Sequence, residues 1–456
     1  LSILSISLKI KEGPPLENQK LTITELVLIG VGGILGAGFF LATGIAIRTA
    51  GPIVLLNYLL SAFIMSQVLY VLSNMIISNP VEGTFRVYAE KALGDVGGFF
   101  SGWIYWTAGI FIMGSEVTAS AIFTKYWFPD IPLWVFSFIY SILVIAVNLM
   151  GTKNFGKIET WFSTIKITAL FVIVIIGILL VIDKIPHKNY IGISNLFQKG
   201  GLAPYGIKGF LGSMLMSLIP FGGIEVIAMS SVKTKNPEKY TPIARRLIVL
   251  ILTSLYLSSI FLLLMIVPWN TISLKESPFI KLLKFSGISY IGSIMNFVIL
   301  TAALTTMNGA MYGITQVLYS LGQGRFAPTF LTIKNKKDVP IYALTLSSTG
   351  LLIAIILSYL LPKDVYEYIT SATGFVQFFN WIIILLTYIN YKNPNLRKSS
   401  KDLLFSWAAI FLIVATLLGT LLVPKQRIGF IGGLVILFIF FLIFHIAQKI
   451  KLFDRW

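Results

Sequence analysis

About 12 apolar stretches run the length of this 456-residue chain, each long enough to cross the roughly 30 Å hydrocarbon layer of a bilayer as a helix. They fall near 23–47, 52–77, 98–123, 132–150, 157–182, 206–231, 241–268, 289–320, 340–361, 367–391, 402–423 and 428–448. In lipid every backbone polar group must find its partner inside the protein, and the alternating segments of a barrel are absent. The pattern therefore predicts an all-α, multi-pass membrane protein. Composition agrees, with 56% hydrophobic and only 12% charged residues, where soluble domains carry about 25% charged. The longest polar connections, near 183–205, 269–288 and 322–339, are too short to build a core of their own.

Charge is the next constraint. The formal net charge of +18 comes from Lys and Arg scattered over the loops, with no single stripe of interleaved aromatics, so no nucleic-acid partner is expected. With the N-terminus inside, Lys9, Lys11, Lys20, Arg86, Lys91, Lys153, Lys233, Arg245, Arg246, Arg325, Lys336, Lys337, Arg397 and Lys398 all fall on the cytoplasmic side, the sense of the positive-inside rule. Both termini are then cytoplasmic, and the plasma membrane is the expected location. The first span shows no small-residue cleavage site and is expected to be retained. The chain has no Cys, so disulfides and thiolate chemistry are excluded. His187 and His445 stand apart from any carboxylate cluster, so neither a metal nor a cofactor is expected. No Walker-type phosphate loop and no intramembrane nucleophile–base pair occurs, which argues against an ATPase or an enzyme. Membrane lipid is the surrounding medium, and no obligatory protein partner is inferred.

Two of the spans are broken by glycines in corresponding places. The first reads Val31-Gly32-Gly33-Ile34-Leu35-Gly36-Ala37-Gly38, and the sixth reads Pro220-Phe221-Gly222-Gly223-Ile224-Glu225. Backbone that leaves the helix within a bilayer survives only where its freed groups face protein, water or a ligand, so paired breaks point to a transporter's binding site. A broken first helix would present the positive N-terminal end of its second half, with N–H groups near Leu35, Gly36, Ala37 and Gly38, to a substrate carboxylate; Ile34 lies at the same turn. The reverse polarity applies to Gly32 and Gly33 and, in the sixth span, to Ile219, Pro220 and Phe221, whose carbonyls suit an ammonium. Close packing of helices through small residues would use the same glycines. If each break opens a repeat of five spans, residues 23–182 and 206–391 form a 5+5 inverted repeat. Spans 402–448 are then peripheral, with cytoplasmic segments at 1–22 and 449–456.

The chain resembles the amino acid permeases of the amino acid–polyamine–organocation superfamily, in their bacterial and fungal branch. The resemblance rests on Gly32 through Phe40 followed by Ala50-Gly51-Pro52, Pro80 through Phe85 with Tyr88-Ala89, Trp127 through Pro132, Phe155 through Glu159 with Trp161-Phe162, Ile165-Lys166, Phe221 through Glu225, Asn236 through Lys239, and Asn308 through Gly322, all in order. It departs from the family at Thr84, at Leu304-Thr305-Thr306-Met307 and at Thr315-Gln316, where an arginine is usual. The resemblance implies a leucine-transporter-like core with helices 1 and 6 broken, and makes Phe221 a candidate aromatic gate over the substrate.

Six residues inside the spans carry further chemistry. Glu225, just past the second break, is an intramembrane carboxylate and so a functional candidate. It either supports the unwound backbone, which the resemblance favours, or carries a proton. Glu116, in the third span, is open to a substrate-facing or proton-linked role and equally to a hydrogen-bonded helix contact. Lys166, in the fifth, is either buried, where desolvation lets a lysine exchange its proton, or snorkels to the interface. The resemblance places this lysine where sodium-coupled relatives hold a cation, which implies proton coupling or sodium-independent transport. In the eighth span Thr305, Thr306 and Asn308 either line the site or bond to a neighbouring turn. The expectation is a secondary active transporter carrying an amino acid by alternating access, spans one, two, six and seven rocking against the rest, with proton symport favoured. A sodium-independent exchanger or a non-transporting amino acid sensor of the same fold is the alternative.

Overall fold

The computed structural model describes residues 21–81, 83–150, 155–183, 192–232, 234, 236–273, 276–285, 287, 290–360 and 365–450. Lys9, Lys11, Lys20, Glu82, Lys153, Lys233, His187 and nearly all of the 1–22 and 449–456 segments lie outside the described residues. Fifteen helices follow in chain order: α1 (Ile23–Ile34), α2 (Ala37–Ala50), α3 (Val54–Ser78), α4 (Thr84–Thr124), α5 (Leu133–Leu149), α6 (Phe155–Val181), α7 (Gly206–Leu218), α8 (Glu225–Ser231), α9 (Pro237–Ile266), α10 (Pro278–Lys284), α11 (Ile291–Gln323), α12 (Ile341–Leu360), α13 (Val365–Asn390), α14 (Ser400–Gly419) and α15 (Pro424–Lys449). Among the described residues ten stretches are long and apolar enough to cross a membrane, and α1 and α5 are shorter apolar helices. One of those ten, Ala37–Ser78, contains two helices, because Gly51 at φ +73° and Pro52 turn the chain between α2 and α3. Each of the 12 apolar stretches in the sequence thus corresponds to a helix or a helix pair.

Local chemistry sets the boundaries. Thr22 and Glu25 form a capping box at the start of α1, each side chain accepting from the other's backbone N–H. Ser399 and Asp402 do the same for α14. α4 is longer than any span needs because Gly94, at φ +71°, joins a leading segment to the crossing helix at a kink. Such a left-handed residue inside a helix is tolerated by glycine alone at little cost. α4 lies along both α11 and α13, and α1 is flanked by α6 and α9. α15 is only 17% buried over its apolar window, the least of these ten stretches. α10, between α9 and α11, is too short to cross and packs on α2, α6, α9 and α11.

Candidate functional site

The break in the first span separates α1 from α2 at Leu35 and Gly36. Gly36 is the N-cap of α2 in extended backbone, with φ −105° and ψ −170°. A glycine cap has no side-chain oxygen to accept from the first-turn N–H groups. Glu116 of α4 supplies it, its Oε2 accepting from Ala37 N–H at 3.1 Å. The approach is tight: a Cβ on Gly36 would stand 2.5 Å from Glu116 Oε1 and 3.0 Å from Thr306 Oγ1. At the other side of the break, fully buried Lys166 of α6 donates from Nζ to the Gly32 carbonyl at 2.8 Å. Each half-helix therefore meets a charge that complements its dipole, a carboxylate at the N-terminus of α2 and an ammonium at the C-terminal end of α1.

The sixth span breaks through different chemistry. Pro220 has no N–H to donate, and Ile219–Phe221 tighten into a 3-10 turn after α7. Gly222 is extended, Gly223 takes φ +96°, and α8 restarts at Glu225. A Cβ on Gly223 would lie 2.9 Å from the Gly33 carbonyl, so the two breaks touch, and only glycine allows it. Glu225 is fully buried. Its Oε1 accepts from Gln377 Nε2 at 2.6 Å and from Trp381 Nε1 at 2.8 Å, which ties α8 to α13.

A cavity opens where the breaks meet. The first break contributes Gly33, Ile34, Gly36 and Gly38, and the sixth span Ile219, Pro220, Gly222, Gly223, Glu225 and Val226. α4 adds Tyr105, Gly109, Ile112, Ser115 and Glu116; α11 adds Thr306, Gly309 and Ala310; α13 adds Tyr366, Thr373, Gly374, Gln377 and Phe378. A stack of buried rings leads from the cavity towards α10. Phe221 packs on Tyr256 at 5.1 Å between centroids, Tyr256 on Phe39 at 4.0 Å and Phe39 on Phe279 of α10 at 4.9 Å, with Tyr58 against their flank.

Several sequence expectations change in detail. The N–H groups of Leu35 and Gly36 are not free for a ligand: they donate to the Val31 and Ile34 carbonyls at 2.9 Å each, because the chain bends only enough to end one helix and start the next. Ala37 N–H is held by Glu116. The Ile219 carbonyl accepts from Gly222 N–H and the Pro220 carbonyl from Tyr256 OH at 3.0 Å, since buried carbonyls must be paired. Snorkelling does not describe Lys166, whose side chain turns inward. Glu225 is partnered by the Gln377 and Trp381 side chains of α13. Thr305 bonds back to Thr301 and Ala302, and Asn308 accepts from Asn148 Nδ2 of α5, so of the three α11 candidates Thr306 alone lines the cavity. Gly32, Leu35, Ala37, Lys166 and Phe221 stand behind the lining. Apart from Glu116, the α4 and α13 contributors were missed, although Tyr105, Gly109 and Ile112 precede Glu116 at helical spacing and Gln377 is an amide within an apolar helix.

The chain matches the amino acid permease family over residues 25–453, nearly its whole length. It belongs to that family. Among relatives, it is 35% identical to the uncharacterized transporter YcgH of Bacillus subtilis over 430 residues, 94% of this chain and 95% of YcgH. It is 31% identical to the gamma-aminobutyric acid permease of Bacillus subtilis, covering 88% of this chain and 86% of that protein. With the aromatic amino acid transport protein AroP of Escherichia coli the identity is 29%, covering 89% and 90%. This amino acid permease thus has the multi-pass helical membrane fold expected of its family, and the names of two of these three relatives describe the transport of amino acids.

Proposed function

We propose that this permease is a secondary active transporter that binds an amino acid between the two breaks and couples its movement to protons through Lys166. The observation that carries this reading is the pair of opposed charges at one break: the Glu116 carboxylate on Ala37 N–H and the Lys166 ammonium on the Gly32 carbonyl. The N-terminal end of α2 is the natural seat of a substrate carboxylate, and Glu116 holds that seat in the present conformation. Substrate entry would then require Glu116 to yield or share the N–H groups of the first turn, a step that protonation of the carboxylate favours. Lys166 supplies a fixed cation at the end of α1, and loss of its proton weakens its hold on Gly32. The substrate ammonium would sit against the sixth-span break, near the cavity-lining Glu225 and Gln377. Phe221 and the ring stack behind it would act as the gate on the α10 side. The transporter would lie in the plasma membrane with both termini cytoplasmic, its core a 5+5 inverted repeat of residues 23–182 and 206–391 working by alternating access.

The test is uptake of a labelled amino acid panel into proteoliposomes with an inside-alkaline proton gradient and no sodium, with Lys166→Ala alongside. Accumulation above equilibrium by the unaltered protein and its loss in Lys166→Ala, with exchange down a concentration gradient preserved, is the expected outcome. Gradient-driven accumulation by the Lys166→Ala protein equal to that of the unaltered one would remove Lys166 from coupling. Binding without accumulation by either protein would favour an exchanger or a sensor.

A further inference from the structure

A second cleft lies between α3 and α9 and shares no lining residue with the cavity at the two breaks. Arg245 and Arg246 stand at it, just over two turns into α9. The Arg245 guanidinium lies over the Tyr70 ring of α3 at 4.6 Å from its centroid, which orients it along the wall. Among the described residues neither arginine has a carboxylate within 4.0 Å. Asp402, on the far side of the Tyr70 hydroxyl, accepts from Tyr70 OH at 3.0 Å and from Ser399 N–H at 2.8 Å, and so is engaged in capping α14. About one turn deeper along α3 are Ser66 and Gln67, and deeper along α9 the hydroxyl of Thr253 is buried without a hydrogen-bond partner.

Depth decides what such a cleft can hold. α9 has 30 residues and is about 45 Å long at about 1.5 Å per residue, well beyond the roughly 30 Å of hydrocarbon. Its first two turns therefore extend into the headgroup layer, and the two arginines fall at the boundary. Adjacent cations without acidic partners at that level need anionic counterparts, and basic pockets between spans suit lipid phosphates. Guanidinium groups bind phosphate oxygens in pairs, where an ammonium would act only as a point charge.

We propose that the α3–α9 cleft is a binding site for an anionic phospholipid, its phosphate held by Arg245 and Arg246 and its glycerol-ester region set against Ser66 and Gln67. A soluble phosphate offers the same charge without the acyl chains that would follow the cleft down the face of α9, where Leu250 is 63% exposed.

Native mass spectrometry of the full chain in neutral detergent, with dioleoylphosphatidylglycerol or dioleoylphosphatidylcholine added, tests this. The expected result is an activation-resistant phosphatidylglycerol adduct, no comparable phosphatidylcholine adduct, and retention reduced about tenfold or more by the double variant Arg245→Gln with Arg246→Gln. Phosphatidylglycerol should also raise the melting temperature of the unaltered protein where inorganic phosphate does not. Equal retention of both lipids, undiminished retention by the double variant, or an equal shift with inorganic phosphate would each overturn the assignment, the last in favour of a soluble-anion site. If the double variant does not fold, Arg246→Gln alone, at an exposed position, should still lower retention severalfold, and unchanged retention there overturns the proposal as well.

Discussion

At Gly36 a single added carbon meets two functional groups at once, the Glu116 carboxylate and the Thr306 hydroxyl. Gly36→Val should put its side chain where a ligand carboxylate would have to reach the first turn of α2, and lower uptake by roughly ten- to a hundredfold, the worth of about 1.5–3 kcal/mol for a hydrogen bond to a charged group. Uptake measured on protein of normal elution profile checks this, and unchanged uptake would separate Gly36 from the site. Glu225 behaves differently under its two obvious replacements. Glu225→Gln keeps an acceptor for Gln377 and Trp381, so transport should fall with its pH profile unmoved. Glu225→Leu strands both donors in the interior and should lower stability by about 1–3 kcal/mol per donor, seen as a drop in melting temperature. At this scale the sequence was most legible where charge is costly: Glu116, Lys166 and Glu225 stand out in apolar spans because lipid tolerates them only with partners. Hydroxyls and amides were less legible. Thr305 satisfies itself on its own helix and Asn308 finds Asn148, so neither needs a ligand, and nothing in their sequence context distinguishes them from Thr306.

Among the elements, the interrupted spans and the long α4 have distinct tasks. The breaks were readable because Gly and Pro in a bilayer-spanning stretch disrupt backbone pairing that lipid cannot replace. The span positions were readable from hydropathy alone. Their neighbours were not, since which helices flank a break depends on packing that apolar residues of similar size all permit; α13, with five residues at the cavity, carries no titratable group there except Tyr366. α10 escaped the reading because seven residues are too few to show a period. α4 reaches the cavity by lying close to α11, and Gly109 permits it: a Cβ there would come 2.0 Å from Ile314 Cγ2. Gly109→Val should force the pair apart and cost about 1–3 kcal/mol or more of stability, as overpacking does. A melting temperature equal to that of the unaltered protein would show that α4 and α11 can separate freely.

For the molecule as a whole, a stack of buried rings runs from Phe221 to Phe279 behind a cavity lined largely by small residues. The chain contains no Cys, so a single introduced thiol reports on access without interference. Thr306→Cys should react slowly with a membrane-impermeant maleimide applied from the α10 side, and adding Phe279→Ala should speed labelling severalfold. Equal rates in the two backgrounds would mean that the rings do not seal that route. The bond between Glu116 and Ala37 N–H carries a consequence for affinity. A carboxylate tethered beside its own binding site is an internal competitor at a fixed, high effective concentration. The binding constant of any ligand carboxylate that comes to α2 then measures a displacement and not a simple association. For such a ligand, the same tether that weakens capture would also hasten release, because the returning side chain would refill the seat as the ligand leaves.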